Sequence, residues 1–151
     1  MKLIDILDAT PFPIGYRLAF LTNFWREPVL RQMEKDFGII RPELTVLMSL
    51  SFRKDVHARD ICEVTEQPSN TVSRAVASLE KKGLISRTKD SVDTRRQVLN
   101  ITSAGREIHD QIIEIFTDAE KTLLSGLSRA ENDQLLVLLD KLARAVPSWK
   151  S

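Results

Sequence analysis

Hydrophobic residues recur at helical spacing along most of this chain, and near the N-terminus the spacing predicts a long helix. Apolar residues lie three or four positions apart from residue 14 to about residue 37, which is the period of one helix face. Gly38 is expected to end this helix, because glycine adopts the left-handed backbone conformation without strain. Pro42 suits the first turn of a second helix at about 43–50.

The middle of the chain predicts a helix-turn-helix followed by a β-hairpin. Helical patterns cover about 58–64 and about 68–82, a compact connection joins them, and Gly83 follows the second. Residues 84–87 and 97–101 are short β-prone runs separated by a polar loop, which indicates two paired strands.

The C-terminal third predicts two more helices. Thr102 opens the first, which continues to about residue 126. Ser128 and Glu131 have the spacing of a capping box, in which each side chain accepts from the other residue's backbone amide. The last helix follows this box and ends before Pro147.

The first helix and the last two carry more apolar residues than a single stripe. A peripheral helix needs only one apolar face, so the excess favours contact with a partner subunit. The alternative is that these helices cover each other inside one subunit.

The helix at about 68–82 has two chemically different faces when its residues are placed at 100° steps. The predicted core face is formed by Val72, Ala75, Val76 and Leu79. The opposite face carries Asn70, Arg74, Ala77 and Lys81, with Thr71 and Ser73 beside it. Asparagine can pair with adenine and arginine with guanine in a major groove, and the lysine is better placed for phosphate. The alternative is an ordinary solvated helix face.

The loop of the predicted hairpin is basic. Arg87 and Lys89 lie on the strand that enters it, and Arg95 and Arg96 on the side that leaves it. An arginine on a protruding loop can enter a minor groove, where the negative potential attracts it. Asp93 is expected to hold one of the arginines by a charge-assisted hydrogen bond. The alternative is a solvated turn whose charges only maintain solubility.

Charge is unevenly distributed, although the whole chain carries only +1. Residues 52–106 have 11 Lys+Arg against 7 Asp+Glu, a net of +4, whereas residues 107–151 have 5 against 8, a net of −3. Residues 1–51 balance at 6 and 6. The basic excess therefore lies in the helix–hairpin segment, as expected for a module that binds a polyanion.

The composition, with 42% hydrophobic and 28% charged residues, is that of a soluble globular chain, and 151 residues suit a single domain. The single Cys62 excludes an intramolecular disulfide and fits a reducing cytoplasm. No apolar run approaches the roughly 18 residues of a membrane span, and acids interrupt the apolar N-terminus, unlike a secretory signal.

Two segments resemble the MarR (multiple antibiotic resistance regulator) family of winged helix-turn-helix transcription factors. They are TVSRAVASLEKKGLISR at 71–87 and DTRRQVLNITSAG at 93–105, and the resemblance covers about 14–145. It implies one domain over 1–151, mainly α with a small β-hairpin wing (α+β), in which a winged lobe at about 42–102 is flanked by dimerisation helices at about 14–37 and 103–146. It also implies a homodimer on a pseudo-palindromic double-stranded DNA site, and a small-molecule pocket between the dimerisation helices and the lobe.

The resemblance, carried over residue by residue, and the polar helix face and basic hairpin described above together give one set of expected DNA-binding positions. They are Ser69, Asn70, Thr71, Ser73, Arg74, Lys81, Arg87, Asp93, Arg95 and Arg96. Arg95 is the expected minor-groove residue.

The chain departs from the family pattern at two positions. His57 stands where many members have a Ser or Thr cap for the third helix, and histidine is a poor cap. Cys62 occupies a small apolar position, where a thiol is expected to act as a small hydrophobe rather than as a redox sensor.

Catalysis, cofactors and metals are not expected. The two histidines, His57 and His109, lack zinc-type ligand spacing and any context of a catalytic group, and no glycine-rich phosphate loop is present. The leading hypothesis is a DNA-binding transcriptional regulator, a repressor released by a ligand. The alternative is a winged-helix protein-interaction module without sequence-specific DNA binding.

Overall fold

The computed structural model describes residues 2–150 as a mainly helical chain with one two-stranded antiparallel sheet. In chain order the elements are α1 (Leu3–Ala9), α2 (Pro13–Trp25), α3 (Glu27–Phe37), α4 (Arg41–Phe52), α5 (Ala58–Thr65), α6 (Ser69–Lys81), β1 (Ile85–Lys89), β2 (Gln97–Ile101), α7 (Ser103–Leu124), α8 (Arg129–Arg144) and α9 (Val146–Trp149). The predicted fold class, a winged helix-turn-helix flanked by terminal helices, is confirmed.

The prediction of one continuous helix over residues 14–37 is wrong, because the helix breaks at Arg26. The backbone of Arg26 is still close to helical (φ −90°, ψ −48°), and its amide bonds to the Thr22 carbonyl. Pro28 follows in the first turn of α3. Proline has no N–H for the carbonyl four residues earlier, and its ring clashes there, so the first helix stops and a new one begins.

The hydrophobic core lies in the lobe formed by α4, α5, α6 and the hairpin. All four residues of the predicted inner face of α6 are 3% exposed or less, which confirms that face. The largest fully buried side chains include Met33, Ile39, Leu47, Leu50, Ile61, Leu79 and Ile112. Since Met33 lies on α3 and Ile112 on α7, the flanking helices join the same core.

The hairpin pairs β1 with β2, from Ile85 opposite Ile101 to Lys89 opposite Gln97. Val56 adds one bridge beside β2: its amide donates to the Leu99 carbonyl at 3.1 Å, and the Leu99 amide donates back at 2.8 Å. The segment before α5 is therefore attached to β2 by this single bridge, outside the two-stranded sheet.

The terminal helices are incompletely covered within one chain. No residue of α2 or α8 is buried. On α8 the apolar residues Leu135, Leu138, Leu139 and Leu142 share one face, and Leu138 and Leu142 are about half exposed. The alternative that these helices cover each other inside one subunit therefore fails for α8. Within residues 2–150, no helix combines the length and apolarity needed to cross a bilayer.

Close packing fixes the start of α7 against the turn that follows α6. Thr102 caps α7 by accepting from the Gly105 amide at 3.1 Å, while its hydroxyl donates to the Gly83 carbonyl at 2.8 Å. A Cβ at Gly105 would lie 2.0 Å from the Leu84 carbonyl oxygen and 2.9 Å from Cγ1 of Ile101. Only glycine allows this approach of helix to backbone.

Gly105→Ala is therefore expected to lower the free energy of unfolding by about 1–3 kcal/mol through overpacking, measured by urea denaturation. A destabilising effect would be distinctive, because alanine normally stabilises a helix relative to glycine by about 1 kcal/mol. Gly126→Ala is the matched control, since a Cβ there meets open space, and it should change stability by less than about 0.5 kcal/mol. Equal stability of the two variants would contradict the packing argument.

Candidate nucleic-acid interface

The turn between α5 and α6 directs the N-terminus of α6 outward from the lobe. Glu66 adopts the left-handed conformation (φ 59°) at the end of α5, and Pro68 is extended (φ −60°, ψ 147°) before α6. The proline's fixed φ suits the residue before a helix, and the Val72 amide bonds to its carbonyl at 3.1 Å. The buried face of α6 then leaves its opposite face accessible.

The outer face of α6 matches the predicted set. Ser69, Asn70, Ser73, Arg74 and Lys81 are exposed, and Thr71 is half-buried. The Asn70 side-chain oxygen accepts from the Thr71 amide at 2.9 Å. Donors, acceptors and two cations therefore line one exposed helix face.

A buried carboxylate, which the sequence reasoning missed, holds the C-terminal half of α6 to α4. Glu43 is 2% exposed. It accepts from Lys82 Nζ at 2.7 Å, the Ser78 hydroxyl at 3.0 Å and the Ile40 amide at 3.1 Å. Its position three residues after Ile40 is a capping-box spacing that signals only the last of these bonds. The network sets the orientation of the helix that carries the polar face.

Arg87, one of the predicted DNA-binding residues, is engaged within the lobe. Its Nε lies 3.3 Å from a Glu80 carboxylate oxygen on α6, and its Nη1 donates to Gln97 at 3.2 Å. This side chain ties the hairpin to α6. Lys81 and Lys89 are exposed, and the Arg87 side chain itself retains 31% exposure.

The wing arginine is oriented by Asp93, as predicted. Arg95 Nε donates to Asp93 Oδ1 at 3.1 Å, and Nη2 donates to Oδ2 at 3.4 Å. Arg96 Nε lies 3.9 Å from the same carboxylate. The Arg95 side chain, followed by its backbone amide, lowers the pKa of Asp93 below the ordinary value of 3.8. The Arg95 side chain remains 90% exposed, so its guanidinium is held in place and accessible.

Asp90 and His57 form a second wing contact, which the sequence reasoning did not identify. His57 Nε2 lies 2.7 Å from Asp90 Oδ2, and Asp90 Oδ1 accepts from the Val92 amide at 2.8 Å. The Val92 amide and then the His57 imidazole lower the pKa of Asp90. At the start of α5, Asp60 accepts from the His57 amide at 3.2 Å. Asp60 therefore satisfies the amide of the N-cap residue, and its own amide donates to the His57 carbonyl at 3.0 Å.

The remaining candidate groups do not assemble into a second site. Cys62 is half-buried and packs against the core, as expected of a small hydrophobe. His109 bonds to Asp110 on α7, far along the chain from His57. Among the side chains that the structure describes, no three possible metal ligands form a group.

Comparisons with known proteins converge on one family. A model of the MarR family matches residues 37–96, from the end of α3 to the wing. The HTH-type transcriptional regulator YkoM of Bacillus subtilis (strain 168) is 33% identical over 107 residues, covering 71% of this chain and 70% of that protein.

Solved structures show the same similarity at the level of the fold. A DNA complex of MepR from Staphylococcus aureus has a TM-score of 0.72 and 28% identity, covering 87% of this chain and 96% of that one. A MarR/EmrR family transcriptional regulator from Acinetobacter sp. ADP1 has a TM-score of 0.73 and 29% identity, covering 89% and 95%. The similarity extends over most of this chain.

The two wing carboxylates predict an acid-sensitive loop. A lowered folded-state pKa means that ionised Asp90 and Asp93 stabilise the wing above pH 3.8, and that this stabilisation is lost as the pH falls through the lowered values. Carboxyl carbon chemical shifts followed by NMR should give titration midpoints below 3.8 for both. Arg95→Ala should raise the midpoint of Asp93 and leave that of Asp90 nearly unchanged. Wild-type midpoints at or above 3.8 would contradict the hydrogen-bonding account.

Proposed function

We propose that this chain, which belongs to the MarR family of transcriptional regulators, binds a pseudo-palindromic operator as a homodimer and represses transcription by covering a promoter. One observation carries the proposal. The exposed polar face of α6 and the oriented guanidinium of Arg95 are two contact elements of one lobe, held by Glu43 and Asp93 respectively. Their chemistry fits two different grooves of one duplex.

In this proposal the N-terminal half of α6 enters a major groove. Asn70 and Arg74 contact base edges, and the hydroxyls of Ser69, Thr71 and Ser73 contact bases or nearby phosphates. Lys81 lies further along α6 and contacts phosphate.

The wing is proposed to lie on the adjacent minor groove. Arg95 enters the groove while Asp93 maintains its direction, and Arg96 adds charge beside it. Arg87 reaches phosphate only when its ion pair with Glu80 opens, so we assign it the smallest share of the binding.

The homodimer is supported by the uncovered apolar faces of the terminal helices. Phe12, Ile14 and Phe24 are 60–71% exposed at the N-terminal end, in addition to the leucine face of α8. Exposed apolar groups on this scale are characteristic of a protein interface. A second copy of the chain supplies a matching surface, because an isologous dimer uses the same patch on both subunits.

In this proposal a small molecule releases the regulator from DNA. A cleft of about 550 Å³ lies between the bend at Arg26 and the C-terminal half of α7. All of its lining residues belong to α2, α3 and α7, whereas the resemblance implies a pocket that the lobe also borders. Apolar walls formed by residues such as Phe24, Trp25 and Ile115 surround the polar groups of Gln32 and Asp118, a composition that suits a small organic ligand. To act as an effector, the ligand must bind the DNA-competent and the released states with different affinities.

DNA binding is tested with a duplex selected from a random pool, which should contain half-sites about 10 base pairs apart. Arg74→Ala is expected to weaken binding by about 1–3 kcal/mol and to relax the preference at one base position. Arg95→Ala should weaken binding and also reduce the salt slope by about one unit. Fluorescence anisotropy at several salt concentrations measures both.

Lys121→Ala is the control, because Lys121 is an exposed cation on α7 outside the proposed contact surface. It should leave binding nearly unchanged. Failure to select any duplex, or affinity that does not respond to salt, would contradict DNA binding and favour the protein-interaction module.

The dimer is tested by placing charge on the leucine face of α8. Leu138→Glu with Leu142→Glu should convert the dimer to monomer in analytical ultracentrifugation, because two carboxylates would be buried in an apolar interface. Val137→Glu changes an exposed residue on the opposite, polar side of the same helix, and it should leave the dimer intact. A dimer that survives the double substitution would exclude this face as the interface.

A further inference from the structure

His57 connects two segments that are 33 residues apart, the start of α5 and the loop of the wing. The contact between His57 Nε2 and Asp90 Oδ2 is short, at 2.7 Å, and both side chains are largely covered, with 28% and 16% exposure. A hydrogen bond to a charged partner in such a setting is stronger than one in open solvent. It joins the helix-turn-helix directly to the wing.

Asp90 in turn organises the wing loop. Its Oδ1 accepts from the Val92 amide at 2.8 Å and lies 3.5 Å from the Asp93 amide. The backbone closes the same turn, because the Asp90 amide donates to the Arg96 carbonyl at 3.0 Å and the Arg96 amide donates to the Asp93 carbonyl at 2.9 Å. The conformation at Asp93 therefore depends on a carboxylate that His57 holds from outside the hairpin.

The last link is the contact between Asp93 and Arg95 described above. Arg95 itself is 90% exposed, so its direction depends on this carboxylate rather than on burial. Polar contacts thus lead from His57 to Asp90, from Asp90 to the Val92 amide and, at 3.5 Å, to the Asp93 amide, and from the Asp93 carboxylate to Arg95.

The other attachments of the segment before α5 lie at the base of the wing. Asp55 and Asn100 exchange hydrogen bonds of 3.0 and 2.9 Å, and Val56 pairs with Leu99 through the backbone. These contacts hold the strands together. Only the contact made by His57, among those that the structure describes for residues 55–57, reaches the loop that carries the arginines.

We propose that His57 is a positioning residue for DNA recognition: its imidazole anchors Asp90, and the ordered wing loop then presents Arg95 at a fixed distance from α6. This inference rests on the proposed function, since it assigns His57 a part in the same DNA contact. A preordered loop loses less conformational freedom on binding, so the anchor increases affinity without touching DNA.

A double-mutant cycle tests the coupling between His57 and Arg95. His57→Phe replaces the imidazole with a planar phenyl ring that has no nitrogen, and it should weaken binding of the selected duplex by roughly tenfold. In the Arg95→Ala background the same change should have almost no further effect. The proposal would be overturned if the loss of affinity in the double variant equalled the product of the two single losses, within a factor of about two.

His57→Gln is the conservative variant, because its amide can donate to Asp90, and it should restore most of the lost affinity. Thermal unfolding of each variant shows whether the lobe is intact. Should His57→Phe fail to fold, Asp90→Asn removes the charge of the partner of His57 and keeps an amide oxygen that can accept from the Val92 amide. Its cycle with Arg95→Ala then tests the same coupling.

Hydrogen exchange without DNA separates the anchor from the proposed function. In His57→Phe the amides of Val92 and Arg96 should exchange faster, while those of Val56 and Leu99 at the base keep their wild-type rates. Unchanged exchange at the first two would overturn the anchor even if the protein binds DNA. Faster exchange in a protein that binds no duplex would retain the anchor and refute the DNA-binding function instead.

Discussion

The orientation of α6 depends on one buried carboxylate, that of Glu43. Aliphatic burial holds α6 to the core, but it is not directional and tolerates small rotations of a helix about its axis. A carboxylate removed from water is stable only while its oxygens remain hydrogen-bonded. The donors are Lys82 and Ser78 near the end of α6 and the Ile40 amide at the start of α4. Rotation of either helix would therefore leave the buried carboxylate without some of its hydrogen bonds. The outer face of α6 is therefore presented in one direction.

The wing repeats this arrangement at the surface. Its strands pair through the backbone, yet the loop between them takes its shape from Asp90 and Asp93, whose oxygens accept from amides and from side chains on either side. In both places an acidic residue in a basic module positions the neighbouring cations and donors. By contrast, no residue of α8 is buried, whereas α3 and α7 contribute Met33 and Ile112 to the core of the lobe.

Much of the architecture was predictable because it depends on short-range patterns. Residues close together in the sequence predict the inner face of α6, the two hairpin strands and the capping box at Ser128. The structure contains each of them. The bend at Arg26 was missed because Pro28 is ambiguous. Proline is accepted in the first turn of a helix and disruptive in its interior, and the apolar period continues across the break.

By itself, the sequence determined most of the elements, but not α1, α9 or the break at Arg26. It also determined the polar face of α6 and the charge of the wing, because helical and strand periods are properties of neighbouring residues. It also placed Asp93 two residues from Arg95, close enough for their pairing to be predicted. Tertiary structure alone decided that Glu43 meets Lys82 across 39 residues and His57 meets Asp90 across 33. Such pairs form when packing brings distant segments together, and neither spacing nor residue type marks them in advance. The polar face of α6 therefore follows from neighbouring residues in the sequence, whereas the contacts that orient this face form only in the folded core.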